Sequence, residues 1–295
     1  MKIGIIGGGA IGLFCAASLL KQGHEVTLYV RRKSQLDELR KGLRLNESSP
    51  GNEPNVLMIS SLKEEELLII CTKQTSMNAL IPILKHLPGK PSLLFLQNGM
   101  GHVKYFEQLS CPIMVGVMEH GVLKHGDRSV VQTGKGVMKL AAVTVTDDQL
   151  EHIQQCLNDD AFPVHTMPDW YRMLAEKLVI NACINPLTAI FGVRNGALMT
   201  NPYLQSLAKS ICEETTRVLD LPFEQMWSRV QEIAEKTGAN QSSMRKDIEE
   251  GRKTEIDSIS GFVMETKTEK ETIPFTTFVY NGVLAMEYQE EDARG

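Results

Sequence analysis

The chain is an α/β protein, with a doubly wound parallel sheet in its first half and helices in its second. Three observations predict this. A strand, a glycine turn, a helix and a second strand follow one another within the first thirty residues. Beyond Pro168 the apolar residues recur at helical spacing, so the period of the pattern changes near residue 167. At 295 residues the chain is longer than one hydrophobic core usually organises. Two domains are expected, 1–167 and 168–295.

Composition narrows the class. With 42% hydrophobic and 23% charged residues the chain is an ordinary globular protein. A formal charge of −5 and a pI near 5.9 argue against a nucleic-acid surface, which carries a basic excess. The six cysteines lie far apart with no C-x-x-C pair, so neither a disulfide framework nor a zinc site is indicated. The histidines lack ligand spacing, and no metal is expected. Residues 3–20 carry no charge, but Gly4, Gly7, Gly8, Gly9 and Gly12 fall among them. Each glycine disfavours a helix by about 1 kcal/mol, so the run is a turn and not a membrane span or signal peptide. The chain reads as cytosolic.

Lys2–Ile6 is the first buried strand, and Gly7-Gly8-Gly9-Ala10-Ile11-Gly12 follows at once. Ile11–Leu20 is the helix, with Leu13, Phe14, Ala17 and Leu20 inward, and Glu25–Val30 is the next strand. In this context a G-x-G-x-x-G binds a dinucleotide: glycines permit the turn and the close backbone approach, and the helix N-terminus faces the pyrophosphate. Arg31 stands 19 positions beyond Gly12, with Arg32 and Lys33 behind it, where an NAD site usually has a carboxylate. A guanidinium forks onto a 2′-phosphate, so NADP is favoured over NAD, the plain alternative being a solvated basic turn. Glu66–Cys71 and Ser92–Leu96 are further strands, ending in Thr72-Lys73-Gln74 and Gln97-Asn98-Gly99-Met100-Gly101. Ligands lie beyond the carboxyl ends of such strands, so Lys73 and Asn98 should point towards the cofactor. Residues 113–118 form another strand, and Val130–Leu140 resembles a hairpin turning at Gly134-Lys135-Gly136. His120 and Val122 fall in the loop before it, where a ligand role and packing are equally open for His120.

In the second half, Asp169 is the expected N-cap of a helix carrying Lys177, Asn181 and Asn185 on one side among Leu174, Leu178, Ile180 and Ile184. Polar groups in an apolar setting cost stability, a cost usually kept for chemistry. The bland reading is a snorkelling lysine with asparagines at a helix end. Pro186 predicts that the helix stops or kinks there. Helices follow at about 203–219, 222–236 and 243–264. In the last, Ile248, Ile259 and Phe262 mark a buried face that Glu255 shares. An inward carboxylate needs a cation, and Lys177 is the candidate; the pair is either functional or a structural ion pair.

These residues resemble the ketopantoate reductase (2-dehydropantoate 2-reductase) family over nearly the whole chain. The most specific stretches are Gly7–Gly12, Gln97–Gly101, Lys177–Ala189, Asn195-Gly196, Ser242–Met244 and Thr254–Asp257. The resemblance implies a Rossmann domain followed by a helical domain of the 6-phosphogluconate-dehydrogenase type. It also implies NADPH-dependent reduction of ketopantoate to pantoate, on the route to pantothenate and coenzyme A. Lys177 falls on the catalytic lysine and Glu255 on the family's glutamate, which also lies at the cofactor. Asn98, Lys177, Asn181, Asn185, Asn195 and Ser243 fall on substrate contacts. Gly7, Gly8, Gly9, Ala10, Ile11, Gly12, Arg31, Lys73, Asn98 and Val122 fall on cofactor contacts. Two departures stand out: Glu119-His120-Gly121-Val122 replaces small residues and threonines, and the tail beyond Phe262 diverges, which leaves a homodimer contact open. The expected site lies between the domains, with a small 2-keto acid as substrate. Two rivals share the evidence: a paralogue reducing another 2-keto acid, and an NADP-sensing protein without turnover.

Overall fold

A computed structural model describes residues 1–46 and 53–292. The chain divides into two compact units, one of Met1–Gln97 with Lys104–Met173, the other of Asn98–Val103 with the chain from Leu174 onwards.

In chain order the strands of the first unit are β1 (Lys2–Ile6), β2 (Glu25–Val30), β3 (Arg44–Leu45), β4 (Asn55–Met58), β5 (Leu67–Ile70), β6 (Ser92–Phe95), β7 (Ile113–Met118), β8 (Gly121–His125), β9 (Ser129–Gly134), β10 (Met138–Ala142) and β11 (Val164–Thr166). Eight of them form one sheet in the order β11-β10-β7-β6-β5-β1-β2-β4, parallel throughout except where β7 meets β10. The inner strands are near-continuous apolar runs, such as Leu67-Leu-Ile-Ile70, because helices cover both faces of a parallel sheet. The first unit's helices are α1 (Ala10–Lys21), α2 (Lys33–Leu39), α3 (Met77–Leu84) and α4 (Asp147–Leu157). The strand order reverses between β1 and β5, and this switch point is where a doubly wound sheet holds its ligand.

The hairpin differs from expectation. β9 pairs antiparallel with β8, turning through Gly126-Asp127, and β3 completes a separate three-stranded sheet. Gly134-Lys135-Gly136 instead carries the chain from that sheet into the large one, where Met138 and Leu140 are buried and pair beside β7. A Gly-x-Gly marks a bend without saying which strand lies across it; burial of Met138 and Leu140 decided the partner. The small sheet packs on α1 through β8 and β9. His120, just before β8, is a core side chain: its ring stacks on Phe162 at 5.7 Å and lies 4.9 Å from Phe14. Its Nδ1 accepts from the Gly136 N–H at 3.2 Å, and burial holds its pKa below the usual histidine value.

α5 (Trp170–Ile190) begins in the first unit and ends in the second, where it is followed by α6 (Ala197–Thr200), α7 (Pro202–Val218), α8 (Phe223–Lys236), α9 (Ser243–Glu249), α10 (Phe262–Thr266) and α11 (Pro274–Asp292). Asp169 caps α5 as expected, accepting from the Arg172 N–H at 2.9 Å. Pro186 does not end it. A proline inside a helix costs about 3 kcal/mol. Against this, Cys183, Leu187, Thr188 and Ala189 are all buried, and Thr188 Oγ1 hydrogen-bonds Ser242 Oγ, 54 positions away, at 2.7 Å. α5 is long and apolar enough to cross a membrane by length and composition, but 83% of that window is buried, as in a core helix.

The expected helix over 243–264 is broken. α9 closes in a Schellman motif: the Gly251 N–H reaches the Ile248 carbonyl, the Arg252 N–H reaches the Asp247 carbonyl, and Gly251 takes φ +59°. Ile248 and Glu255 therefore share no helix face. The chain resumes as a π-helical turn over Asp257–Gly261. Its wider spacing shifts the inward position from the expected Phe262 to Val263, which is fully buried.

Candidate active site

The glycine turn clears space for a ligand at the N-terminus of α1. Gly9 is its N-cap, with no side chain capping the first turn. A Cβ on Gly9 would meet nothing closer than the Cys71 carbonyl at 3.9 Å, whereas one on Gly12 would strike the Gly7 carbonyl at 1.9 Å. Gly12 is thus required for packing and Gly9 leaves the approach open, which fits a dinucleotide pyrophosphate against the backbone. Gly7, Gly8, Ala10 and Ile11 are half-buried along the same turn.

Beyond the end of β2, Arg31 is exposed. Its neighbour Arg32 donates from Nη2 to Asp127 Oδ1 at 2.5 Å. Asp127 also accepts from Lys124 Nζ at 3.1 Å, and the same ammonium donates to the Gly8 carbonyl at 3.0 Å. Gln35, buried on α2, donates from Nε2 to Gly8 at 2.7 Å and to the Asp127 carbonyl at 3.2 Å. Burial pushes the Asp127 carboxyl up, but the hydrogen bonds and charges of Arg32 and Lys124 outweigh it and hold the pKa below the usual value. Sequence reading missed Gln35, Lys124 and Asp127. No local pattern marks them, because the hairpin lies 92 to 116 positions from what it touches. Lys73 is exposed after β5, and Val122 is half-buried on β8 in this same unit.

The second unit holds the other candidates. Lys177, Asn181 and Asn185 occupy successive i, i+4 positions of α5; the lysine is half-buried, and the asparagines are 9% and 8% exposed. Asn195, 7% exposed, donates from Nδ2 to Thr237 Oγ1 at 2.9 Å. Thr237 spends its own proton on the Ile233 carbonyl, so the amide orientation is determined, and Asn195 Oδ1 is left buried without a hydrogen-bond partner. An orphaned buried acceptor costs about 1–3 kcal/mol, which a ligand hydroxyl or water would recover. Ser243 is exposed at the first residue of α9, whose cap is Ser242 accepting from the Arg245 N–H.

Glu255 is half-buried just ahead of the π-helical turn. Thr254 anchors it: the Thr254 N–H donates to Glu287 Oε1 at 2.7 Å and its Oγ1 accepts from the Ile256 N–H at 3.2 Å. The segment Asn98-Gly99-Met100 docks on that turn. The Met100 N–H donates to the Ser258 carbonyl at 3.1 Å, Gly99 adopts φ +76°, and a Cβ there would lie 2.2 Å from the Ser258 oxygen. This brings Asn98 Nδ2 to 3.1 Å from Glu255 Oε2. Of these candidates Asn98 and Glu255 are brought into side-chain contact; a lysine, a carboxylate and amides are the residue types that orient a small polar substrate and donate a proton.

Models of the ketopantoate reductase PanE/ApbA family match residues 3–144, and those of its C-terminal part match 169–287. The curated 2-dehydropantoate 2-reductase of Bacillus subtilis (strain 168) is 36% identical over 293 residues, covering 97% of this chain and 98% of that protein. That of Vibrio cholerae is 31% identical, covering 97% and 98%. The crystal structure of panE from Bacillus subtilis superposes with a TM-score of 0.86 at 35% identity, covering 97% of this chain and all of the other. A D-mandelate dehydrogenase solved with NADH and anilino(oxo)acetate shares the fold at a TM-score of 0.90 and 22% identity, covering 99% and 100%. The chain belongs to the ketopantoate reductase PanE/ApbA family.

Proposed function

We propose that the protein reduces 2-dehydropantoate (ketopantoate) to pantoate with NADPH, in the cytoplasm, as a step of pantothenate and coenzyme A biosynthesis. The observation that carries this reading is the polar stripe Lys177-Asn181-Asn185 on a buried helix, in a chain 36% identical to a curated 2-dehydropantoate 2-reductase. Residues 1–167 serve the dinucleotide and 168–295 the substrate. Gly7, Gly8, Gly9, Ala10, Ile11 and Gly12 receive the pyrophosphate, and Arg31 and Lys73, with Val122 and Asn98, complete the cofactor set. Arg31 supplies a guanidinium for a 2′-phosphate, and this favours NADPH over NADH.

Bound NADPH supplies the hydride to the C2 carbonyl carbon. Lys177 stabilises the charge that builds on the carbonyl oxygen and donates the proton to it. Glu255 orients the lysine, and Asn98 holds that carboxylate through its amide. Asn181, Asn185 and Asn195 bind the substrate hydroxyl and oxygen, and Ser243 takes the carboxylate. Two copies of the chain form a homodimer; a ketopantoate reductase from Staphylococcus aureus with this fold is dimeric.

The test follows NADPH and NADH consumption with ketopantoate beside a panel of 2-keto acids. Preferred turnover of ketopantoate with NADPH supports the assignment. Preference for another 2-keto acid makes the protein a paralogue of different substrate. Tight NADPH binding without turnover makes it a sensor.

A further inference from the structure

The β8–β9 hairpin places an ammonium and a carboxylate over the glycine turn. Lys124 Nζ lies 3.0 Å from the Gly8 carbonyl, one residue before the open helix N-terminus, and Asp127 bridges Lys124 to Arg32 at the end of β2. Three features make this more than a surface ion pair. Both cations meet the same oxygen, Oδ1, so one carboxylate atom neutralises two groups. Gln35, buried beneath, ties the Asp127 backbone to the Gly8 carbonyl, which fixes the hairpin to the turn. Lys124 itself is only partly exposed, with 27% of its side chain accessible, and an ammonium with three protons has used two here.

We propose that Lys124 and Arg32 form a binding pair for a phosphate of the dinucleotide, with Asp127 as the internal counter-ion that the phosphate displaces. The inference rests on the cofactor reading above and adds residues to it. Arginine forks onto phosphate oxygens and lysine adds a point charge, so a phosphate satisfies the pair at least as well as the single shared carboxylate oxygen. Before binding, Asp127 keeps the cations in place and limits their mutual repulsion. After binding, the dianion takes both. Two phosphates of the cofactor carry this chemistry, the 2′-phosphate on the adenosine ribose and the bridging pyrophosphate.

Isothermal titration of the whole protein with 2′,5′-ADP and with 5′-ADP distinguishes them. Lys124→Met should weaken 2′,5′-ADP about tenfold, the order expected for one charge-assisted phosphate contact. It should also lessen the salt dependence of binding, because a cation has been removed. Gln35→Ala removes a hydrogen bond to the same Gly8 carbonyl without changing charge, and should leave the salt dependence as in the wild type. Lys124→Arg should restore affinity, and Asp127→Asn should tighten binding by removing the competing anion. Loss confined to 2′,5′-ADP assigns the pair to the 2′-phosphate; loss with 5′-ADP, whether alone or together with 2′,5′-ADP through their shared 5′-phosphate, assigns it to the pyrophosphate. If the wild type binds and Lys124→Met binds equally well, the inference fails while the cofactor reading stands. If Asp127→Asn weakens binding, the exchange of anions is refuted. If the wild type binds neither probe, the cofactor reading itself fails and takes this inference with it.

Discussion

Asn98 and Glu255, 157 positions apart, meet side chain to side chain at 3.1 Å. The contact depends on backbone docking beneath it, where Met100 and Gly99 lie against the Ser258 carbonyl. A hydrogen bond to a charged group contributes about 1.5–3 kcal/mol, and exposure puts this one at the low end. Asn98→Ala should therefore lower kcat/KM about tenfold. A double-mutant cycle with Glu255→Gln should show coupling. Strict additivity would mean that the amide and the carboxylate act separately.

Lys177→Ala should reduce kcat by about 10²–10⁴, the range for loss of a general acid, with NADPH affinity little changed. Steady-state rates together with a fluorescence titration of NADPH check both halves. Turnover within a few-fold of wild type would remove Lys177 from its role.

Gly99→Ala tests the docking itself. The left-handed φ of +76° and a Cβ only 2.2 Å from the Ser258 oxygen together should cost about 2–4 kcal/mol of stability. Urea unfolding measures the cost, and activity should fall as Asn98 is displaced. A change within about 0.5 kcal/mol, the range of an ordinary surface substitution, would show that the segment docks differently.

His102, on the same segment, is fully buried, and desolvation lowers its pKa from 6.5 to about 3. The folded state thus disfavours the proton that the unfolded chain accepts. Its contribution to stability is complete above pH 6.5 and is lost as the pH falls towards 3, at about 1.4 kcal/mol per pH unit. Urea unfolding between pH 7 and pH 4 should show a steeper loss in the wild type than in His102→Gln. Identical slopes would count against a buried neutral imidazole.

Glu214, buried on α7, accepts from the backbone N–H groups of Phe275 and Thr276 and from Thr276 Oγ1, at 3.0, 2.7 and 2.7 Å. One carboxylate thus closes the first turn of α11. Glu214→Ala should cost about 2–3 kcal/mol, because it strands buried donors. At roughly 2–4 °C per kcal/mol the melting temperature should fall by about 4–12 °C. An unchanged melting temperature would mean that another group takes over the cap.

Local pattern by itself determined the elements whose physics is local. The glycine turn, α1, the apolar parallel strands and the i, i+4 stripe of α5 were legible because each depends on spacing within a few residues. So was the position of Arg31 just beyond β2, which follows from strand length. The Schellman stop of α9 was also written locally, in Gly251, and was overlooked under a longer apolar period. Other features came only from the tertiary structure. The pairing of β9 with β8, the continuation of α5 through Pro186, and the meeting of Asn98 with Glu255 each rest on partners far away in sequence. The clasp of Lys124, Asp127 and Gln35 on the glycine turn belongs with them. Burial of distant apolar groups offsets a local penalty, and hydrogen bonds across the fold choose a partner, so neither leaves a period in the chain for sequence to report.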